Sequence, residues 1–173
     1  MNLIITCARH LEHDAEEELE NILEEMGDSE YTITITKMSG ILTAKTSLEP
    51  TEVIRKVKEK LLDEPWSIRY CLRIIPVQKV TDTNIDEIEK EIVSIKNLIL
   101  ENESYRISIE KRNSDISGQE LISRVAKNIK NKVSLEYPDK IVLIEILGNK
   151  TGLGIVKKSD ILSVEKTKRS LSE

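Results

Sequence analysis

Tyr31-Thr-Ile-Thr-Ile-Thr-Lys37-Met-Ser-Gly40-Ile-Leu-Thr-Ala-Lys-Thr46 reads as two strands joined by a tight turn. Residues 31–37 alternate with period two, Ser39-Gly40 supplies the turn, and residues 41–46 continue as the partner strand. Working outward, Leu11, Ala15, Leu19, Ile22, Leu23 and Met26 recur at helical spacing before the hairpin, with Gly27 as the stop. The apolar run 2–7 precedes that helix as a first strand. After the hairpin, Pro50 opens a helix carrying Val53, Ile54, Val57 and Leu61, and Pro65 closes it. A last strand is expected from about Ile68 to Val80. The order β-α-β-β-α-β predicts a ferredoxin-like domain over residues 1–80, an antiparallel four-stranded sheet with two helices on one face.

A second α/β unit is expected over residues 81–173, giving an α+β / α/β chain of two domains. Ile85, Ile88, Ile92, Ile95 and Ile99 predict a helix of about four turns. Residues 105–111 form a strand with Tyr105, Ile107 and Ile109 on one face. Ser117 and Glu120 make a capping box, and Leu121, Ile122, Val125, Ile129 and Val133 form the buried stripe of the helix it opens. The nearly all-apolar 141–147 suits a strand covered on both faces. The string from Gly148 to Gly154 reads as a hairpin turn, and 153–156 as a last short strand.

Charge is unevenly spread. The net charge is −5 over residues 1–80, −5 over 81–103 and +5 over 104–173. Net charge speaks to partners more than to fold, so the basic third is the place to seek a polyanion site. On the helix after Ser117, Arg124, Lys127 and Lys130 fall opposite the apolar stripe. Lys111, Arg112 and Asn113 end a strand and enter the loop to that helix's N-terminus, a place that favours anions. Lys150, Lys157 and Lys158 flank the last strand. The acidic face of the first helix, Glu16 to Glu24, reads as a solvated surface with a docking role as the lesser alternative.

Cys7-x-x-His10-x-x-His13 together with Cys71 admits a Cys2His2 zinc site, because strands one and four are neighbours in the ferredoxin-like order. The spacing speaks against it, since Cys7 belongs to a strand and His13 to the first helical turn. Buried thiols and surface histidines are the expectation. The glycine fingerprints of dinucleotide and nucleotide sites do not occur, nor does the nucleophile-elbow pattern. No cofactor is expected, and the chain reads as a binder and not an enzyme. No window approaches the length of a membrane span. The N-terminus has no export-signal pattern, so cytoplasmic residence is the expectation. Phe is absent and Trp occurs once, which disfavours a row of aromatic base platforms.

The stretches Tyr105-Arg-Ile-Ser-Ile-Glu-Lys-Arg112-Asn, Ser117-Gly-Gln-Glu-Leu-Ile, Glu136-Tyr-Pro138-Asp-Lys-Ile-Val-Leu-Ile-Glu145 and Gly154-Ile-Val together resemble the THUMP domain. The preceding segment is similar to the ferredoxin-like domain that accompanies it. Leu3-Ile-Ile-Thr-Cys7 and Arg73-Ile-Ile-Pro-Val77 resemble in particular the small THUMP proteins that assist acetylation of tRNA cytidine. The resemblance implies a tRNA-binding accessory protein that grips the acceptor stem and 3′ end for a separate cytidine N4-acetyltransferase. The alternative it leaves is an RNA-binding subunit for another tRNA-modifying enzyme, a methyltransferase or a sulfurtransferase. The chain ends about 15 residues after its last expected strand, so the resemblance implies that no catalytic domain follows. It points to Lys111, Arg112, Arg124 and Lys127 as RNA contacts. Arg9, Arg69 and Arg73 are weaker candidates, at least one of them expected in a structural ion pair.

Overall fold

A computed structural model describes residues 1–172. The chain divides into two units, Met1–Pro76 with the segment from Ser159 onward, and Val77–Lys158.

In the first unit β1 (Leu3–Cys7), α1 (Glu12–Glu25), β2 (Thr32–Ile35), β3 (Ile41–Lys45), α2 (Pro50–Asp63) and β4 (Cys71–Pro76) follow in the ferredoxin-like order. The strands pair antiparallel as β2-β3-β1-β4. The α1 N-cap makes no side-chain hydrogen bond, so packing holds this helix: Ala15, Leu19, Ile22 and Leu23 are buried against the sheet. Each large side chain there contributes about 1.5–3 kcal/mol. The hairpin turn depends on Gly40, whose φ is +74° and whose N–H donates to Glu12 Oε1 at 2.8 Å. Three successive backbone N–H groups, of Arg69, Tyr70 and Cys71, donate to the carboxylate of Glu18 and tie α1 to the start of β4.

The expected strand from Ile68 to Val80 is two strands. β4 stops at Pro76, and β5 (Lys79–Asp82) pairs in the other sheet, with Lys79 opposite Leu153. The break carries the unit boundary to residue 76, four residues before the expected position. The end of the chain also departs from expectation. Residues from Ser159, assigned by sequence to the second domain, belong to the first unit: β9 (Leu162–Ser163) pairs with β4, and α5 (Val164–Ser170) packs against α2. Leu162 and Val164 are buried in that core, which offsets the cost of ordering so short a segment.

In the second unit α3 (Ile85–Ile95) precedes β6 (Tyr105–Arg112), α4 (Gly118–Ala126), β7 (Lys140–Leu147) and β8 (Lys150–Val156). The sheet order is β5-β8-β7-β6, with β6 and β7 parallel and the other pairs antiparallel. A parallel pair needs a crossover, and α4 supplies it. Side chains cap both helix starts: Ser117 accepts from the N–H of Glu120 as expected, and Asn84, which the sequence places in a connector, accepts from that of Glu87. Residues 141–147 are all buried. Two helices are shorter than their periodicity suggests. α3 gives way to a 3-10 turn over Lys96–Leu98, and α4 ends at Ala126, so that Val133 is exposed and bridges Tyr105 instead of completing a helical stripe. Ile122 is exposed as well. β8 is longer than expected, taking in Lys150 to Gly152, and the turn before it is made by Gly148 at φ +63°.

Candidate nucleic-acid interface

The parallel pairing of β6 and β7 separates the basic residues into two groups. Arg112 lies opposite Leu147, which itself pairs with Lys150, so Lys111, Arg112, Asn113 and Lys150 share the C-terminal end of these strands. The crossover helix returns the chain to the other end, where the N–H of Tyr105 donates to the carbonyl of Lys132 and Ile141 pairs with Val156. Lys127, Lys130 and Lys157 belong to that second end. An eight-residue strand spans roughly 26 Å, so the two groups are not one patch.

At the first end most of the charge is already matched. The Arg112 guanidinium donates to Glu145 at 2.9 Å, and that carboxylate side chain is only 1% exposed. Burying a carboxylate requires a partner, so Arg112 is structural first. Lys150 pairs with Asp82 at 2.6 Å. Lys111 is exposed and spends one donor on the carbonyl of Ile116 at 2.9 Å. Asn113 takes φ +53° in the turn out of β6. Exposed Glu110, Asp115 and Glu120 stand in the same stretch.

Arg124 is not on a free face. It donates to Asp86 at 2.5 Å and to Glu89 at 3.0 Å on α3, and Asn128 also donates to Glu89. Taking Leu121 and Val125 as the buried pair, Arg124 lies about 80° off the apolar direction, on the flank that α3 covers. Hydrogen bonds from Arg124 hold the Glu89 carboxyl below the usual range, and Glu89 with Asp86 pushes the guanidinium up.

The second end carries exposed lysines. Lys127, Lys130 and Lys132 are exposed in the connector from α4 to β7, and none has a carboxylate partner among the described residues. Lys157 and Lys158 are exposed after β8. Lys140 pairs with Glu103 at 2.8 Å. Tyr137 is 80% exposed in the same connector, whose course is pinned by the Arg106 guanidinium donating to the carbonyl of Leu135. The expected helix through Val133 takes in Lys132 and so hides its place in the connector, while Tyr137 lies beyond that helix with no pattern to mark it as exposed. The Asn131-to-Pro138 stretch, rich in turn formers, was the signal that ends the helix.

In the first unit, Cys7 pairs with Cys71 across β1 and β4, so Arg9 and Arg69, each two residues away, share one end of that sheet. Arg73 is half-buried opposite Thr6 and Ser163. Among the described residues none of these three arginines is in an ion pair; Arg69 instead stands 5.6 Å over the Tyr70 ring. The zinc alternative is not supported by the geometry. Both thiols are buried, His10 and His13 are exposed, and among the described residues no three metal-ligating side chains converge. Burial pushes the Cys71 thiol well up, and that of Cys7 up as well.

Residues 82–156 match the family model described as the THUMP domain, and the match ends where the second unit's last strand ends. The chain contains a THUMP domain. Over 158 residues it is 26% identical to "uncharacterized protein MJ0421" of Methanocaldococcus jannaschii, a match covering 88% of this chain and 41% of that one. PH1313 of Pyrococcus horikoshii superposes with a TM-score of 0.63 at 16% identity, covering 91% of this chain and 55% of the other. A 4-thiouridine synthetase solved with RNA and ATP gives 0.53 at 14% identity, over 91% of this chain and 42% of that chain. TrmN of Thermus thermophilus gives 0.55 at 13%, over 90% of this chain and 45% of its own. The chain therefore spans about half or less of each of these proteins, and at these identities the structures show a shared fold.

No described helix is long and apolar enough to cross a membrane.

Proposed function

We propose that this chain binds tRNA and presents it to a separate modification enzyme, a cytidine N4-acetyltransferase in the first instance. The observation that carries the reading is a THUMP domain whose connector end displays Lys127, Lys130 and Lys132 without carboxylate partners. Exposed ammonium groups of this kind neutralise phosphates and release counterions, reading backbone shape more than sequence. Lys157 extends the same end, while Lys111 and Asn113 offer a second, weaker contact at the other. Arg112, Arg124 and Lys150 serve the fold before they serve RNA. Support for acetylation comes from the resemblance of residues 3–7 and 73–77 to the small THUMP proteins of that pathway. A second reading, service to a methyltransferase or a sulfurtransferase, is favoured by structural neighbours that include "a putative methyltransferase" and a 4-thiouridine synthetase.

The test is binding of labelled tRNA by anisotropy across a salt series, with Lys127→Glu/Lys130→Glu/Lys132→Glu as the variant. Affinity should fall steeply with salt and at least tenfold in the triple variant. Absence of binding at low salt, or an unaffected variant, sinks the RNA reading. Nucleoside analysis of tRNA from cells lacking the protein separates the two enzyme readings. Loss of N4-acetylcytidine supports the first, and loss of a methylated or thiolated nucleoside supports the second.

A further inference from the structure

The first unit carries a surface of opposite charge to the lysines proposed to contact RNA. A cavity of about 420 Å³ lies along α1 and is lined by Asp14, Glu17, Glu18, Asn21, Lys60 and Ser67, among others. Immediately beside Ser67 stands Trp66, the chain's single tryptophan, 72% exposed in the 3-10 turn Pro65–Ser67, with exposed Leu62 four residues earlier at the end of α2. A tryptophan this exposed is an outlier for a residue that ordinarily withdraws from water, and exposed aromatic and leucine side chains together mark interaction sites. Tryptophan is also among the residue types that dominate binding energy where partners meet. The Ser67 hydroxyl, which lines the cavity, is buried and has no hydrogen-bond partner among the described residues.

Charge decides which class of partner fits. Around the cavity Asp14 and Glu17 are unpaired among the described residues, while Glu18 accepts backbone N–H groups and Glu25 pairs with Lys60 at 2.6 Å. Asp63 and Glu64 border Trp66. Arg69, near Tyr70, and Lys168, whose ammonium donates to the Ile68 carbonyl at 2.8 Å, also border this surface, but the carboxylates of Asp14, Glu17, Glu18, Glu25, Asp63 and Glu64 outnumber the described cations, so the local field is negative. A nucleic acid would be repelled. A protein segment with Arg or Lys set in an apolar surround would be attracted, its cation entering the acidic cavity and its apolar part covering Trp66. We infer that Trp66, Leu62 and the adjoining acidic cavity form a docking surface for a basic segment of a protein partner. The inference stands apart from the RNA reading, because it concerns a different unit and the opposite sign of charge.

The experiment places a benzoylphenylalanine photo-crosslinker at Asn21, with Glu136 in the second unit as control position, in the full chain in its native cells. A protein trapped from Asn21 and not from Glu136 is then purified and titrated calorimetrically against the intact chain. Three variants are compared: Trp66→Ala, Asp14→Lys/Glu17→Lys, and the isosteric Asp14→Asn/Glu17→Gln. The expected result is at least tenfold weaker binding for Trp66→Ala and for the charge reversal, a smaller loss for the isosteric pair, weakening with salt, and unchanged circular dichroism and tRNA affinity. The inference is overturned if no protein is trapped above control or if only RNA or a second copy of this chain is trapped. It is equally overturned if the trapped protein binds Trp66→Ala as tightly as the parent.

Discussion

Replacing Gly40 by alanine tests whether the hairpin reading rests on the right physical cause. Gly40 sits at φ +74°, and a Cβ built there would stand 2.6 Å from the backbone oxygen of Cys7. Ordinary contact begins near 3.4 Å, so the β1–β3 junction must open by about 0.8 Å. Two hydrogen bonds meet at this residue, Gly40 N–H to Glu12 at 2.8 Å and Cys7 N–H to the Gly40 carbonyl at 2.9 Å. The left-handed conformation costs an alanine about 1 kcal/mol, and loosening these partly buried bonds costs about 2 kcal/mol more. Gly27→Ala is the control, because its φ is +86° but its Cβ meets nothing within 4 Å. Its cost is the conformational term alone, partly offset by a stiffer unfolded chain, and so about 0.5 kcal/mol. Urea unfolding followed by circular dichroism should therefore separate the two by about 2–3 kcal/mol, a midpoint difference of roughly 1 M. If the variants fall within about 0.5 kcal/mol of each other, the close approach to Cys7 is not what Gly40 is for.

Asp28 is buried, and although burial raises its pKa, hydrogen bonds from Ser47, Thr46 and the Glu30 N–H outweigh this and hold the carboxyl below its ordinary value. A lowered folded pKa gives stability that is present above the ordinary carboxylate range and lost as pH falls through the folded value. Asp28→Asn should thus cost about 2 kcal/mol at pH 7 and progressively less below about pH 4, checked by unfolding at each pH. Arg124→Met should cost about 1 kcal/mol of stability, since the pair is partly exposed, and leave tRNA affinity within about twofold. Loss of tRNA binding as large as that of the lysine triple variant would place Arg124 on RNA instead. In the native state neither Cys7 nor Cys71 should react with a thiol reagent, both should react after denaturation, and purified protein should hold less than about 0.2 zinc per chain. Fast native labelling or stoichiometric zinc contradicts the buried-thiol assignment.

How much was legible follows from how local each signal is. The ferredoxin-like order came from period-two and helical spacing within single segments, and the cap at Ser117 from residues three apart. The strand break at Pro76 was harder, because residues 68–80 are strand-like throughout and only pairing partners distinguish β4 from β5. The fifth strand and α5 were missed for the same reason: β9 is two residues long and exists because β4 offers an edge. In the candidate interface, Lys127 and Lys130 were legible as exposed lysines. Lys132 was hidden by an overextended helix, and the exposure of Tyr137, beyond that helix, had no local signal.

The sequence by itself determined the types of most elements before residue 148, the α+β plan and the surplus of cations after residue 104. Those properties are short-range: periodicity, turn chemistry and composition need no knowledge of distant neighbours. Only the tertiary structure decided which cations are available. Arg124 is neutralised by carboxylates 35 and 38 residues away, and Arg112 by one 33 residues away, pairings that no local pattern announces. The same holds for where the cations stand. Lys111 and Lys127 flank one helix in sequence, yet parallel pairing of β6 and β7 sends them to opposite ends of the unit, because a crossover must traverse the sheet's length to begin the next strand.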